Sequence, residues 1–212
     1  MDFTQEQITA FRFWIQGYPR FYEPLVAEYF RVMGYQVQET VTVHKADIQR
    51  VIEALFDGHK ELGPALDQKA IIEHLRGRQR IQPDLLVEKD SKRYLVELKS
   101  WGGYRTGIFD LGTAQSEFMA PKSESLRKSA YLLVDWLDGQ HIDGKILVVS
   151  TRSPQHEQVL QLLTEAFNTS IQLLYLDEIF NTPQLSGTIE KYLDYLDAAV
   201  AELKQAMRGT RS

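Results

Sequence analysis

The stretch that most constrains this chain is IQPDLLVEKDSKRYLVELKSWGG, residues 81–103. Two short apolar runs, 85–87 and 94–96, are separated by the charged, turn-forming residues 88–93, and this pattern predicts a β-hairpin. Strand side chains alternate between faces, so Glu97 and Lys99 point one way while Leu98 points into the core. In an antiparallel hairpin the start of one strand lies beside the end of the other, which makes Asp84 and Glu97 neighbours. Two carboxylates and a lysine converging on one end of a sheet form a donor set suited to a divalent cation and to hydrolysis of a phosphodiester.

The remainder of the chain reads as a scaffold for that hairpin. Residues 3–17 have the periodicity of an amphipathic helix, with Ile8, Phe11, Trp14 and Ile15 at helical spacing and Thr4 with Gln7 as a capping box. A second helix is expected over about 22–33, with Pro24 in its first turn, a stripe of Leu25, Val26, Tyr29, Phe30 and Met33, and Gly34 as its stop. Residues 35–43 alternate as a half-buried strand. Two helical patterns follow, 45–56 and 64–75, broken at 58–63. Arg76-Gly77-Arg78-Gln79-Arg80, the densest basic cluster, then leads directly into Pro83-Asp84.

Beyond the hairpin, residues 102–121 read as a loop. A helix is expected from a Ser123 cap to Leu137, with Leu126, Ala130, Leu133 and Trp136 on one face. KILVVS (145–150) reads as a strand buried on both faces. A helix from Ser153-Pro154 to Phe167 and a strand over 171–176 complete the pattern. A final helix runs from Ser186 to about Met207. Its apolar residues Ile189, Leu193, Leu196, Val200, Leu203 and Met207 form a heptad-like stripe, for packing on the chain's own body or for a dimer seam.

Composition narrows the function classes. At 212 residues the chain suits a single domain spanning 1–212. It has no cysteine, which removes disulfides and thiolate metal sites and fits a cytoplasmic setting. No run of about 18 apolar residues is present, so no membrane span is expected. The net charge is -5, but residues 44–128 hold 15 Lys+Arg against 13 Asp+Glu while the rest hold 9 against 16. The surroundings of the hairpin are therefore the relatively basic part. The five histidines show no zinc-binding spacing, and neither a phosphate-binding glycine loop nor a nucleophile elbow occurs. Taken singly, Asp84 has an ordinary reading as a strand-start residue, and Glu97 and Lys99 as an exposed strand face. Glu23 singly reads as an acid favoured by a helix dipole.

Taken together, the element order and the Asp84, Glu97-x-Lys99 pattern resemble the PD-(D/E)xK nuclease superfamily, the restriction-endonuclease-like fold. The order is helix, strand, insertion, hairpin, helix, strand, helix, strand. Two flanking stretches, YEPLVAEYFRVMGYQV (22–37) and ILVVSTRSPQHEQVLQLLTEAFNTSIQLLYLDEIF (146–180), are similar to the opening and close of Mrr-like restriction endonucleases. The resemblance covers about 22–180. It implies an α/β core with a mixed central β-sheet flanked by helices, plus N-terminal, inserted (44–80) and C-terminal (186–208) helices. It also implies a metal-dependent endonuclease hydrolysing DNA phosphodiester bonds, of restriction, defence or DNA-processing type. In that pattern Asp84, Glu97 and the carbonyl of Leu98 hold Mg2+, with Mn2+ as substitute, and Lys99 attends the attacking water. Glu23, early in the opening helix, completes the metal site; Glu28 is a rival further along. Arg76, Arg78 and Arg80 are candidates for contacts to the DNA phosphate backbone, and Gln115 could approach from the loop. A homodimer through the C-terminal helix is a possible assembly. The alternative function is a nucleic-acid-binding or assembly subunit that keeps the fold without cleaving.

Overall fold

The computed structural model describes residues 19–99, 129–149, 152, 156–194 and 197–198. The expected helix over 3–17, the loop bearing Gln115 and the end of the C-terminal helix lie outside these residues. The described residues open with α1 (Pro19–Val32), β1 (Gln36–Glu39) and β2 (Val43–His44), then α2 (Lys45–Phe56), α3 (Gln68–Arg76) and β3 (Arg80–Ile81). The hairpin β4 (Leu85–Lys89) and β5 (Lys92–Lys99) follows. Next come a 3-10 turn (Ala130–Leu133) and a small hairpin, β6 (Trp136–Leu137) and β7 (Gln140–His141). The close is β8 (Gly144–Val149), α4 (His156–Phe167), β9 (Ile171–Tyr175) and the short helix α5 (Leu176–Phe180), with residues 186–194 again helical.

A five-stranded mixed sheet, ordered β1-β4-β5-β8-β9, organises these elements. The first three strands pair antiparallel, and β5, β8 and β9 run parallel. Alternation along the strands sorts their side chains into two layers. Leu86, Leu95, Leu147 and Val149 join α2, α3 and α4 on one face. Leu85, Val87, Val96, Ile146 and Val148 join α1 and α5 on the other. All six residues of β8 are buried, as a parallel strand covered on both faces requires. Among the described residues no helix is long and apolar enough to cross a membrane.

Turn chemistry fixes the hairpins. Asp90 and Ser91 both have positive φ (52° and 60°), the conformation that a two-residue hairpin turn matched to strand twist demands. Asp138 and Gly139 (52° and 77°) do the same between β6 and β7. This second turn overturns the helix expected to run to Leu137. The helical segment is over by Leu133, Trp136 lies on a strand, and the Asp-Gly pair is a hairpin signal that outweighs helical spacing over so few residues.

Three other boundaries differ from the expectations. The strand expected over 35–43 is split, because Thr40 takes φ 61° and redirects the chain. β1 then joins the main sheet, while β2 pairs with β3. The helix over 64–75 starts at Gln68, where the Asp67 side chain accepts the Ala70 N–H at 3.1 Å as its cap. Helix α1 starts at Pro19 rather than at residue 22, leaving Pro24 inside it. Its C-terminal stop at Gly34 (φ 84°) is as expected, with Gly34 N–H donating to Arg31 O and Tyr35 N–H to Phe30 O, both at 2.9 Å. Ile189 is fully buried in the second core layer, and Tyr192 and Leu193 pack against that layer, so the start of the C-terminal stripe rests on the chain's own body.

Candidate active site

The β4–β5 pairing sets Leu85 opposite Val96, and one step further along that register sets Asp84 opposite Glu97. Pro83 has no N–H to give to the ladder, so β4 begins only after it and Asp84 is left at the strand's mouth. Asp84 Oδ2 accepts the N–H of Leu98 at 2.6 Å. That bond satisfies a donor on the part of β5 that outruns β4, and it holds the carboxylate at the sheet's end.

Alternation then divides residues 97–99. Leu98 packs with the α1 layer. Glu97 and Lys99 share the opposite face, where Lys99 Nζ donates to Glu97 Oε1 at 2.9 Å and lies 5.9 Å from the centre of the Tyr131 ring. Neither side chain is a solvated surface charge, since Glu97 is 13% exposed and Lys99 10%. The Asp84 N–H also helps hold the Glu97 carboxyl down, while its second oxygen, Oε2, is buried without a hydrogen-bond partner among the described residues.

Electrostatics follow from this geometry. Burial pushes the Glu97 carboxyl up to about 7; the Lys99 ammonium opposes that rise and the charge of Asp84 adds to it. Burial also raises Asp84, against the Leu98 N–H and Lys99, which hold it down. Two carboxylates and one ammonium leave a surplus negative charge in a place with little water, and an orphaned buried oxygen adds a desolvation cost. A group of this kind can pass a proton near neutral pH or accept a small cation.

Glu23 lies in α1, beyond the helix's first turn, so the dipole does not account for its position. It is an exposed residue. Burial of its carboxyl, then the charge of Asp84, then that of Glu39, raises its pKa, which places it within electrostatic reach of Asp84. Its rival Glu28 is instead held by Arg31, whose Nη1 lies 3.4 Å from Glu28 Oε2 and whose Nη2 also pairs with Glu39. Of the basic cluster, Arg76 and Arg80 are exposed, and Arg78 turns back on its own helix, its Nε donating to His74 Nε2 at 3.1 Å. Gln115 is outside the described residues.

Among the described residues no three His, Asp or Glu side chains cluster to hold a metal by themselves. The fit to a cation therefore rests on the two carboxylates of Asp84 and Glu97. Mg2+ keeps several waters and is commonly held by one or two carboxylates, so this donor set and the orphaned Glu97 oxygen suit it.

The sequence did not single out Tyr131, which lies under Lys99 and is 2% exposed. Its only signal was an aromatic with a polar tip inside the apolar run AYLLV. It also did not point to a second polar group at the other end of the same sheet face. There Lys145, wholly buried, donates to Asp135 Oδ1 at 3.1 Å and Thr169 Oγ1 at 3.2 Å, and Lys60 pairs with Asp135 Oδ2. Burial lowers Lys145 to about 8.

No family model matches the chain, and neither a curated protein nor a solved structure matches it.

Proposed function

We propose that the chain is a Mg2+-dependent nuclease of the PD-(D/E)xK kind, hydrolysing phosphodiester bonds in DNA. The observation that carries this reading is the facing pair Asp84 and Glu97, with Lys99 bonded to Glu97 and one buried Glu97 oxygen left unsatisfied. A purely structural ion pair gains nothing from a second carboxylate and an orphaned acceptor, whereas a cation-binding site uses both.

In this reading Asp84, Glu97 and the Leu98 carbonyl would hold Mg2+, and Glu23 would complete the site. The ion supplies Lewis acidity at a phosphate oxygen and a more acidic water. Lys99 stabilises the negative charge that grows on the phosphoryl group. Its bond to Glu97 and its seat against Tyr131 fix the ammonium before substrate arrives, so little reorganisation is needed. The Leu98 N–H fixes one Asp84 oxygen in the same way.

The test is nicking of supercoiled plasmid and digestion of linear DNA with Mg2+ or Mn2+, comparing the wild type with Asp84→Asn. Metal-dependent cleavage by the wild type and its loss in the variant are expected. Equal behaviour of the two proteins would overturn the reading. Binding with a steep salt dependence but no cleavage would assign the chain to non-cleaving nucleic-acid-binding subunits. A readout independent of activity is thermal melting: Mg2+ should raise the melting temperature of the wild type and not that of Asp84→Asn.

A further inference from the structure

The register that puts Asp84 opposite Glu97 also lines up a second group along the same edge of the sheet. Lys99 pairs with Val149 on β8, and Val149 pairs with Tyr175 on β9. Tyr175 therefore sits level with Lys99, on the same face, two inter-strand spacings or roughly 10 Å away. That distance is about three steps of a stacked nucleic-acid strand at 3.4 Å each.

Tyr175 has two partners at its ring. Its hydroxyl bonds Nδ1 of the fully buried His156 at 3.0 Å, and the two rings lie nearly parallel, 16° apart with centres 5.3 Å apart. The Arg152 guanidinium carbon lies 4.2 Å from the centre of the Tyr175 ring. Two of the guanidinium nitrogens are engaged, Nε donating to Asp177 Oδ2 and Nη2 to Glu178 Oε1, both at 2.7 Å. Yet the Arg152 side chain remains 53% exposed.

This arrangement is unlike that of an arginine placed for phosphate. Arg152 and its two carboxylates sum to one negative charge, since burial and the neighbouring guanidinium keep His156 toward its neutral form. A phosphate would meet a net negative charge and find Nε and Nη2 already engaged. What stays open is a flat, immobilised guanidinium. Bases of unpaired strands stack on such planes without regard to sequence.

We infer that Arg152, seated on Tyr175 and clamped by Asp177 and Glu178, is a base-stacking platform that receives an unpaired nucleobase of the substrate strand beside the cleavage site. This rests on the nuclease reading above. It makes Arg152 a substrate-positioning residue and favours substrates with locally unstacked bases, such as single strands, flaps or frayed ends.

The test uses the full chain, without divalent metal, and two fluorescent probes of equal length: an oligothymidine strand and a strand with abasic sugars throughout. Arg152→Ala and Arg152→Lys should each weaken binding of the thymidine strand by roughly tenfold. Both variants should bind the abasic strand as the wild type does. Lysine keeps the charge and lacks the plane, so wild-type affinity in Arg152→Lys would overturn the platform. Parallel weakening on both probes would overturn it as well, by showing a phosphate contact. A general fold defect would also weaken both probes, and thermal melts of the variants identify it; in that case Tyr175→Phe, which keeps the ring, decides by whether it retains the preference for thymidine over abasic strand. If the Arg152 variants match the wild type while Asp84-dependent cleavage persists, this inference falls alone. If the wild type neither binds nor cleaves any strand, the nuclease reading falls with it.

Discussion

One face of the sheet carries two buried lysine–carboxylate groups, one at each end, and they solve the same physical problem in opposite ways. At the end reached by the C-termini of the parallel strands, one ammonium faces two carboxylates, and an oxygen of Glu97 is left without a partner. At the other end, two ammoniums share one carboxylate: Lys145 bonds Asp135 and Thr169, and Lys60 bonds the second Asp135 oxygen. Both are charged groups held away from water, which is costly unless the hydrogen bonds are complete. The cationic group completes its carboxylate's bonds from within the chain and ties together the inserted region, β8 and the loop before β9. Among the described residues the anionic group does not, and one acceptor is left over. Burial and charge mark both groups; the completeness of their hydrogen bonds separates them, and in the proposed reading that is what separates a structural pin from a site.

The largest effect that would break this comparison lies at the anionic end. Lys99→Met should lower the rate of metal-dependent plasmid nicking by roughly 10²–10³-fold, the scale for losing one preorganised charge stabiliser. Its stability should fall by less than that of Asp135→Ala, because the Glu97 carboxyl, already raised to about 7, can take up a proton once its partner is gone. A large loss of stability with unchanged rate per folded molecule would make this end a structural pin too.

At the cationic end the pattern should invert. Asp135→Ala leaves two buried ammoniums without their shared carboxylate and should cost about 3 kcal/mol in urea unfolding, toward the low side for a broken buried pair because Asp135 is partly exposed. Lys145→Met, which substitutes an apolar chain of similar size, should cost clearly less. Neither change should alter the nicking rate per folded molecule.

The two ends also differ in the pH windows where they act. The Glu97 carboxyl is raised from its ordinary 4.5 to about 7, so the folded chain binds the extra proton between those values. Stability from this group therefore falls as pH rises from 4.5 to about 7. Lys145 is lowered from 10.5 to about 8, so there the unfolded chain binds the extra proton. Its penalty is full below about 8 and fades as pH rises toward 10.5. Urea titrations across pH should show the acidic slope flatten in Glu97→Gln and the alkaline slope flatten in Lys145→Met. Slopes that survive both changes would detach these windows from these residues.

The smallest expected effect sharpens the choice of the fourth carboxylate. Glu28→Gln removes an exposed pair with Arg31 and should change stability by less than about 0.5 kcal/mol, with nicking unaffected. Glu23→Gln should reduce nicking. The reverse result would exchange their roles.

What could be read from the sequence tracks how local its causes are. The β4–β5 hairpin depends on alternation and a tight turn within about twenty residues, and the helix over 45–56 depends on one apolar stripe; both lie where the pattern places them. The facing of Asp84 and Glu97 follows from that same local register. The split at Thr40 was invisible because the alternating pattern runs through it, and only the partner strands β4 and β3 reveal two directions. Helical spacing up to Trp136 and the turn chemistry of Asp138-Gly139 point to different elements, and the turn, set by two adjacent residues, prevails. Lys145 heads an otherwise apolar strand. Its burial depends on Asp135, Thr169 and Lys60, which come from separate elements and share no spacing rule.

The two-residue turn at Asp90–Ser91 has a consequence in time as well as in space. It places Asp84, Glu97 and Lys99 within one hairpin, and hairpins form in about 1–10 μs from a contiguous segment. The pairing of β5 with β8 joins residues as far apart as Tyr94 and Gly144, so it must close a long loop first. The two carboxylates are thus brought face to face while still in water, where their repulsion is weak. Where the long loop closes second, β8 and the Tyr131 segment shut them away only then, and their repulsion grows with that slower step.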